Sequence, residues 1–323
     1  MTIASGAAVI IPTFNEAAHI GGLLEQLLRQ KRDVVGQILV ADGRSQDATR
    51  AIVAQIAAAN DRVHLIDNPD RLQSAGINRA AAAADPAHGI LVRMDAHSGY
   101  ADDYVARLIR TLQERDTESV VVRLRTVGRT CMEKAIAAVS NSIFGTGGAA
   151  HRIGGQSRLI DHGHHAAFRR DAFQSSGGYD VHFIANEDAE FDYRLRRAGG
   201  RIWLAADIEV DYFPRSTLGA LARQYWRYGR GRAQNFLKHR EKLRARQLVA
   251  PLLVVMLAAS TAVSLVQPYA LALPLLYAAG CCAAALWLAL RARSICVMLA
   301  APALWAMHLC WGAGFITTMV MKK

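Results

Sequence analysis

The chain lacks the cysteine spacing that organises zinc modules and small secreted domains. It has five cysteines and no CxxC pair. Cys131 stands alone, and Cys281, Cys282, Cys296 and Cys310 lie in the apolar part, so neither a zinc site nor a disulfide framework is expected. The N-terminus lacks a basic n-region and a signal-peptide pattern. Ala7–Ile11 reads instead as a short buried strand, and the catalytic part is expected in the cytoplasm. No internal repeat is evident. Charge is nearly missing from one end: from Leu248 onward the chain is almost all apolar.

Three apolar runs fill that end, Leu248–Val266, Tyr269–Leu290 and Ile295–Met321. Each is long enough to cross roughly 30 Å of hydrocarbon. A single run of this kind could be a buried core helix; three in succession point to the membrane. The net charge of +11 is uneven, with eight Lys/Arg against one acid, Glu241, between Arg227 and Arg246. That stretch lies just before the first run, which favours anionic lipid heads on the cytoplasmic side over nucleic acid. Arg291 and Arg293 fit the same side. Lys322 and Lys323 do not if all three runs cross, which leaves either a re-entrant third run or a failure of the rule for a short tail. The expected division is a catalytic domain over 1–215, a basic interfacial segment over 216–247 and a membrane part over 248–323.

Before the membrane part, strand-like runs alternate with helical patterns. Strands are expected at Ala7–Pro12, Gln37–Ala41, Arg62–Asp67, Gly89–Met94 and Ser119–Leu124. Helices are expected at Ala17–Gln30, Gln46–Ala59, Leu72–Ala84 and Tyr104–Arg115. This alternation predicts an α/β fold built from βαβ units with a mainly parallel sheet. Ligands then bind beyond the carboxyl ends of the strands. The residues there are Thr13–Glu16, Asp42–Ser45, Asn68–Arg71 and Asp95–His97. Phe144–Gly155, rich in glycine, reads as a flexible loop.

Taken alone, Pro12-Thr13-Phe14-Asn15-Glu16 and Asp42-Gly43-Arg44-Ser45 would be turns with helix caps. Asp42 also has the chemistry to accept hydrogen bonds from a base or ribose. Asp95-Ala96-His97 is more telling: two ligand-type side chains one residue apart can reach one cation bound to a diphosphate. Glu187-Asp188 opens a helical pattern, where an acid is stabilised electrostatically. An ionised Asp188 there can take a proton from an attacking hydroxyl. Gln224 and Arg227, three apart, share a face of an amphipathic helix that also carries Tyr225, Trp226 and Tyr228, an arrangement suited to the membrane interface. His162, His164 and His165 have no acidic or cysteine partner at metal-site spacing, so loop or acceptor-wall roles are expected for them.

Together these segments resemble the family 2 glycosyltransferases with the GT-A fold. Val9–Glu16 is similar to that family's opening strand and donor loop, and Asp42–Thr49 to its uracil-contacting segment. Asp95-Ala96-His97 falls at its DxD metal motif, with His97 in place of the second Asp. Glu187-Asp188 matches its ED motif, and Gln224–Tyr228 fits QxxRW with Tyr replacing Trp. Asn68–Ala75, Phe144–Gly148, Ala166–Arg170 and Gly177–Asp180 resemble the β-1,3-glucosyltransferases of succinoglycan-type exopolysaccharide synthesis. The resemblance implies an inverting transfer of a hexose, glucose by that group, from a UDP-sugar to a lipid-linked saccharide. It implies Asp188 as base, and Pro12, Thr13, Asn15, Glu16, Asp42, Arg71 and Asp95 on the donor. Glu187, Gln224, Arg227 and Tyr228 would serve the acceptor or diphosphate. Asp95 and His97 would hold a divalent metal, manganese or magnesium, imidazole favouring manganese. The expected setting is a bacterial-type inner membrane, multi-pass, with no nucleic-acid partner. Rival readings are a polyprenyl-phosphate glycosyltransferase, a processive synthase and an inactive nucleotide-sugar-binding scaffold. A chain ended after Arg246 is expected to keep a folded, UDP-binding domain.

Overall fold

The computed structural model describes residues 6–240 and 243–321, leaving aside the side chains of His165 and Ala166. Two compact units interleave along the sequence. The first holds residues up to Leu124 together with Gly154–Tyr212; the second holds Arg125–Ile153 together with the chain from Phe213 onward.

The first unit is built on a sheet. Strands β1 (Ala7–Thr13), β2 (Val35–Asp42), β3 (Val63–Asp67) and β4 (Ile90–Arg93) run parallel. Val9, Ile10 and Ile11 are fully buried, as expected of strands covered on both faces. Helices α1 (Ile20–Leu28), α2 (Thr49–Ala59), α3 (Gln73–Ala83) and α4 (Tyr104–Glu114) make the crossovers. Leu23, Leu24 and Leu27 of α1 and Val105, Leu108 and Leu112 of α4 join the strands in one apolar core. Register places Thr13 beside Asp42 and Asp42 beside Asp67. Ile10 pairs with Arg93, which carries Asp95 to the same carboxyl edge.

Beyond β4 the sheet turns antiparallel. β5 (Ser119–Thr126) and β7 (His164–Arg169) pair with each other, β7 pairs with β4, and β6 (Arg158–Leu159) pairs with β8 (Ile202–Tyr212). The order is β3-β2-β1-β4-β7-β5-β8-β6. The alternation seen in the sequence therefore builds the parallel half of a mixed sheet. After β7 come α8 (Arg170–Ser175) and α9 (Glu187–Arg197). Phe191 of α9 packs on Phe168, Phe173 and Tyr179, with ring centroids 6.2, 5.2 and 5.3 Å away. That cluster fixes the start of α9. Asn186 precedes it in the left-handed region (φ 62), a conformation that asparagine tolerates.

The second unit contains α5 (Cys131–Ser140), α6 (Ile143–Thr146), α7 (Ala150–Ile153), α10 (Leu218–His239), α11 (Ala245–Val263), α12 (Ala272–Ala292) and α13 (Ala300–Met321). Three helical stretches, Ala245–Val263, Pro268–Ala292 and Ile295–Met321, are long and apolar enough to cross a membrane. Glu241, Lys242, Lys322 and Lys323 lie outside the described residues.

Three expectations change here. Phe144–Gly155 holds two single helical turns rather than an unstructured loop: the Phe144 carbonyl meets His308 Nε2 at 2.7 Å, and the Phe144 ring lies edge-on to Trp287 at 5.7 Å. Cys131 has a disulfide partner, Cys296, at a Cα–Cα distance of 4.7 Å. Their separation of 165 residues hides that pairing from any spacing rule. Ile136 and Val139 of α5 are buried in one cluster with Leu304 and Met307 of α13. A chain ended after Arg246 would strip that cover from α5, so the simple truncation would expose apolar surface on what remains.

Candidate active site

The expected donor side is assembled from two loops held to each other. The Gly43 amide donates to the Thr13 carbonyl at 2.8 Å. The Asn15 amide donates to Ser45 Oγ, and Asn15 Oδ1 accepts from the Gln46 amide, both at 2.8 Å. The Glu16 amide donates to Thr49 Oγ1 at 2.8 Å. Asn15 and Arg71 both adopt positive φ, 57 and 56. Arg71 is exposed and follows β3, while Pro12 is half-buried within β1.

Asp42 is fully buried. Its Oδ1 accepts from the Ser45 amide and from an Arg50 Nη, both at 3.0 Å. Its Oδ2 accepts from Ser45 Oγ at 2.6 Å and Thr13 Oγ1 at 3.3 Å. The four lone-pair sites of the carboxylate are thus occupied. A base would reach Asp42 only by displacing a partner, the Thr13 hydroxyl being held at the longest distance.

The centre of the site is Arg93, buried at the end of β4. Its Nε lies 3.6 Å from Asp95 Oδ1, and its Nη1 lies 3.8 Å from Glu187 Oε1 and 3.5 Å from the Tyr179 hydroxyl. Nε makes no hydrogen bond. One guanidinium therefore joins the carboxylate after β4 to the first residue of α9, with Asp188 next in the chain. Burial opposes the charge on Arg93, but Asp95, Tyr179, Glu187 and Asp188 outweigh it and raise its pKa. Burial alone would raise the Asp95 carboxyl; Arg93, His164 and His97 overcome it and hold Asp95 below its usual value. Glu187 goes the other way. Burial, then the neighbouring Asp188 charge, push it up to about 7 against the pull of Arg93. Two acids with separated proton affinities on either side of a buried cation are a pattern of functional sites. Asp188 Oδ1 accepts from the Ala189 amide at 2.8 Å at the start of α9.

Residues 8–177 match the family model described as "Glycosyl transferase family 2". A match of that length decides the family. The chain belongs to glycosyl transferase family 2.

Among relatives of this family 2 glycosyltransferase is the succinoglycan biosynthesis protein ExoA of Rhizobium meliloti (strain 1021). It is 43% identical over 311 residues, covering 96% of this chain and 94% of that one. More distant is the dolichyl N-acetyl-alpha-D-glucosaminyl phosphate 3-beta-D-2,3-diacetamido-2,3-dideoxy-beta-D-glucuronosyltransferase of Methanococcus voltae. It is 24% identical over 232 residues, covering 69% of this chain and 71% of that one. Among solved structures, mannosyltransferase PcManGT from Pyrobaculum calidifontis in complex with GDP-Man and Mn2+ shares the fold. Its TM-score is 0.59 at 21% identity, covering 99% of this chain and 88% of that one.

The resemblance implies a divalent ion at this family 2 site, and the donor chemistry fits one. Asp95 is kept a carboxylate by its cationic surroundings. His97 Nδ1 lies 2.7 Å from Glu16 Oε1, the carboxylate–imidazole pairing that orients metal-binding histidines. His164 Nε2 lies 3.7 Å from Asp95 Oδ2. Among the described residues no group of three or more His, Cys, Asp or Glu could hold an ion alone, so diphosphate oxygens would complete the shell.

Several residues of this cluster escaped the sequence reading. Arg93 was visible as a charge ending the apolar run Ile90-Leu91-Val92, but nothing named its partners. His162 and His164 have acidic partners that come from elsewhere in the chain. His162 Nδ1 pairs with buried Asp192 Oδ2 at 2.8 Å, and His164 faces Asp95. Both acids are remote in sequence, so spacing could not reveal them; His165 lies outside the described side chains. Gln73 Nε2, 3.3 Å from Asp95 Oδ1, was missed too. Gln224, Arg227 and Tyr228 lie on α10 in the second unit, where Gln224 Nε2 donates to the Tyr228 hydroxyl at 2.9 Å.

Proposed function

We propose that the protein is an inverting, metal-dependent glycosyltransferase of exopolysaccharide synthesis. It moves a hexose, glucose on the sequence resemblance, from a UDP-sugar to a lipid-linked saccharide at the cytoplasmic face of the membrane. The observation that carries this reading is the Arg93 bridge, which brings the strand-end Asp95 and the helix-opening Glu187 within 4 Å of one buried cation. Donor-side and acceptor-side carboxylates then border one reaction centre. The 43% identical relative, named for succinoglycan biosynthesis, supports the polymer class. The Methanococcus voltae relative, named for a dolichyl-phosphate-linked sugar, supports a lipid-linked acceptor.

Asp188 takes the proton of the acceptor hydroxyl as that oxygen attacks the anomeric carbon. The carbon–oxygen bond to UDP breaks on the opposite face, and UDP leaves with the electron pair. One displacement inverts the configuration without a covalent sugar–enzyme intermediate. Asp95 and His97 would hold manganese or magnesium, which neutralises charge gathering on the diphosphate. Thr13, Asn15, Asp42 and Arg71 line the nucleotide side, and Glu16 steadies His97. Glu187, with its raised proton affinity, places less negative charge beside Asp188 than an ordinary carboxylate would. Gln224, Arg227 and Tyr228 are assigned to the acceptor's diphosphate.

Asp188→Asn tests the assignment. The variant should bind UDP as the parent does and turn over at least roughly 10²-fold more slowly, since only the proton acceptor is lost. Near-normal turnover would remove Asp188 from the base role.

A further inference from the structure

Helix α13 has the length and composition of a span, yet its surroundings differ from those of α11 and α12. Most of α11 and α12 is exposed, as lipid-facing helices are, whereas no residue from Ala300 to Met319 is exposed. Much of that cover is α10. Leu221 of α10 is buried in one cluster with Leu304 and Met307 of α13. Further on, a Cβ at Gly229 would collide with the Trp311 carbonyl, and a Cβ at Gly314 with the Trp226 carbonyl. Helices α10 and α13 lie side by side with small residues at the seam. The opposite side of α10 carries Arg223, Arg227 and Arg230, all exposed. Their spacing of four and three puts them on one helical face.

Trp311 is at the middle of α13. Were α13 to stand across the bilayer, Arg227 and Arg230 would lie within one turn, about 5 Å, of the midplane. Arginine there is among the most unfavourable residues for insertion, and these three have no acid beside them on α10. A second contact gives the same depth. A Cβ at Gly312 would come within 2.5 Å of the Ala250 carbonyl. Ala250 is five residues into α11, or about 8 Å from its start. The midplane of the hydrocarbon is about 15 Å from its boundary. The middle of α13 thus sits near the headgroup end of α11.

We propose that α13 does not cross the bilayer. It lies with α10 as a two-helix layer in the headgroup region, the Arg223/Arg227/Arg230 face meets anionic lipid phosphates, and only α11 and α12 span. The charge pattern then becomes consistent. The basic stretch before α11, Arg291 and Arg293 after α12, and the sequence-terminal Lys322-Lys323 all fall on one side, removing the exception that three spans create. The layer also puts Arg227 at the level where a lipid-linked diphosphate leaves the bilayer, and to that extent the inference rests on the proposed acceptor.

Reporter fusions to the full chain test it. A fluorescent protein that folds only in the cytoplasm and a phosphatase active only outside it would each be placed before Met1, between Val266 and Gln267, and after Lys323. The expected result is the same side for both termini and the opposite side for the Val266–Gln267 site. Termini on opposite sides would overturn the proposal by making α13 a span; all three sites on one side would overturn it by leaving α11 and α12 outside the bilayer too. Sugar transfer assayed on the same fusions stays independent: a failed topology with active enzyme sinks only the helix layer, whereas correct topology without transfer of a hexose to a lipid acceptor sinks the function.

Discussion

Replacing Arg93 with methionine keeps most of the apolar stem and removes the one cation that Asp95 and Glu187 share. At 3.6 and 3.8 Å, each pair is worth about 4–5 kcal/mol of Coulomb attraction at an effective dielectric of about 20. Much of that is offset by the cost of keeping a guanidinium out of water. Truncating one partner of a buried pair typically costs about 3–5 kcal/mol, because the other charge is left uncompensated. Here two carboxylates are left, with Asp188 next to one of them, so the upper half of that range is expected for Arg93→Met at pH 8. The loss should shrink at pH 5.5, where Glu187 takes a proton and the like-charge repulsion falls. Turnover should drop by at least roughly 10²-fold, since Asp188 would be ionised less readily beside an unscreened Glu187. Arg93→Lys should recover part of both, keeping the charge without the planar fork that reaches two carboxylates. The assay is thermal melting of detergent-solubilised protein at both pH values, with UDP-sugar turnover alongside. A methionine variant as stable and active as the parent, with an unchanged pH response, would refute the idea that Arg93 organises this site.

Glu187 has a folded-state pKa pushed up to about 7, so the folded chain holds a proton that the unfolded chain releases from about pH 4.5 upward. Its contribution is present at low pH and is lost as pH rises through 7, by about 3 kcal/mol in all; Glu187→Gln should flatten the melting-temperature slope between pH 5 and 8, and parallel slopes would contradict this. Chelator should abolish turnover, manganese should serve at least as well as magnesium, and His97→Asp should move the preference toward magnesium; an unchanged metal profile in calorimetric titration of ion plus UDP would remove His97 from the ligand set. Ending the chain after Arg246 should give protein that aggregates or binds a hydrophobic dye, because Ile136 and Val139 lose Leu304 and Met307; a monodisperse, cooperatively melting product would show that α5 does not need α13.

The parallel half of the sheet was legible because each strand there is a continuous apolar run ending in a small set of polar residues. Val9–Ile11 and Ile38–Ala41 could hardly be anything else. Of the antiparallel half only β5 was legible, as Ser119–Leu124; β6 is two residues long and β7 begins with histidines that read as loop. Strand ends pointed to Asp42 and Asp95 through local chemistry alone. The partners that give those residues their properties come from far along the chain: Arg50 for Asp42, and Glu187 and His164 around Arg93 and Asp95. Long-range register decides such meetings, and a local pattern carries no trace of it. The same holds for Cys131 and Cys296, and for the small-residue seam of α10 on α13. There, glycines at 229 and 314 look like ordinary composition until the facing carbonyls are known.

The hydrogen bonds between the first two loops, from Asn15 to Ser45 and Gln46 and from Glu16 to Thr49, bear on how fast the enzyme can work. On the proposed donor assignment, a nucleotide entering here would find walls that the chain has already ordered, so little conformational entropy would be lost on entry. The spent nucleotide meets the same ready-made walls as the charged donor. Its departure gains no relaxation of the loops, and residence of the by-product lengthens accordingly. Steady-state turnover would then be limited by clearance of the nucleotide rather than by bond cleavage. A cell enzyme that hydrolyses nucleoside diphosphates would relieve rebinding of the by-product without touching this protein.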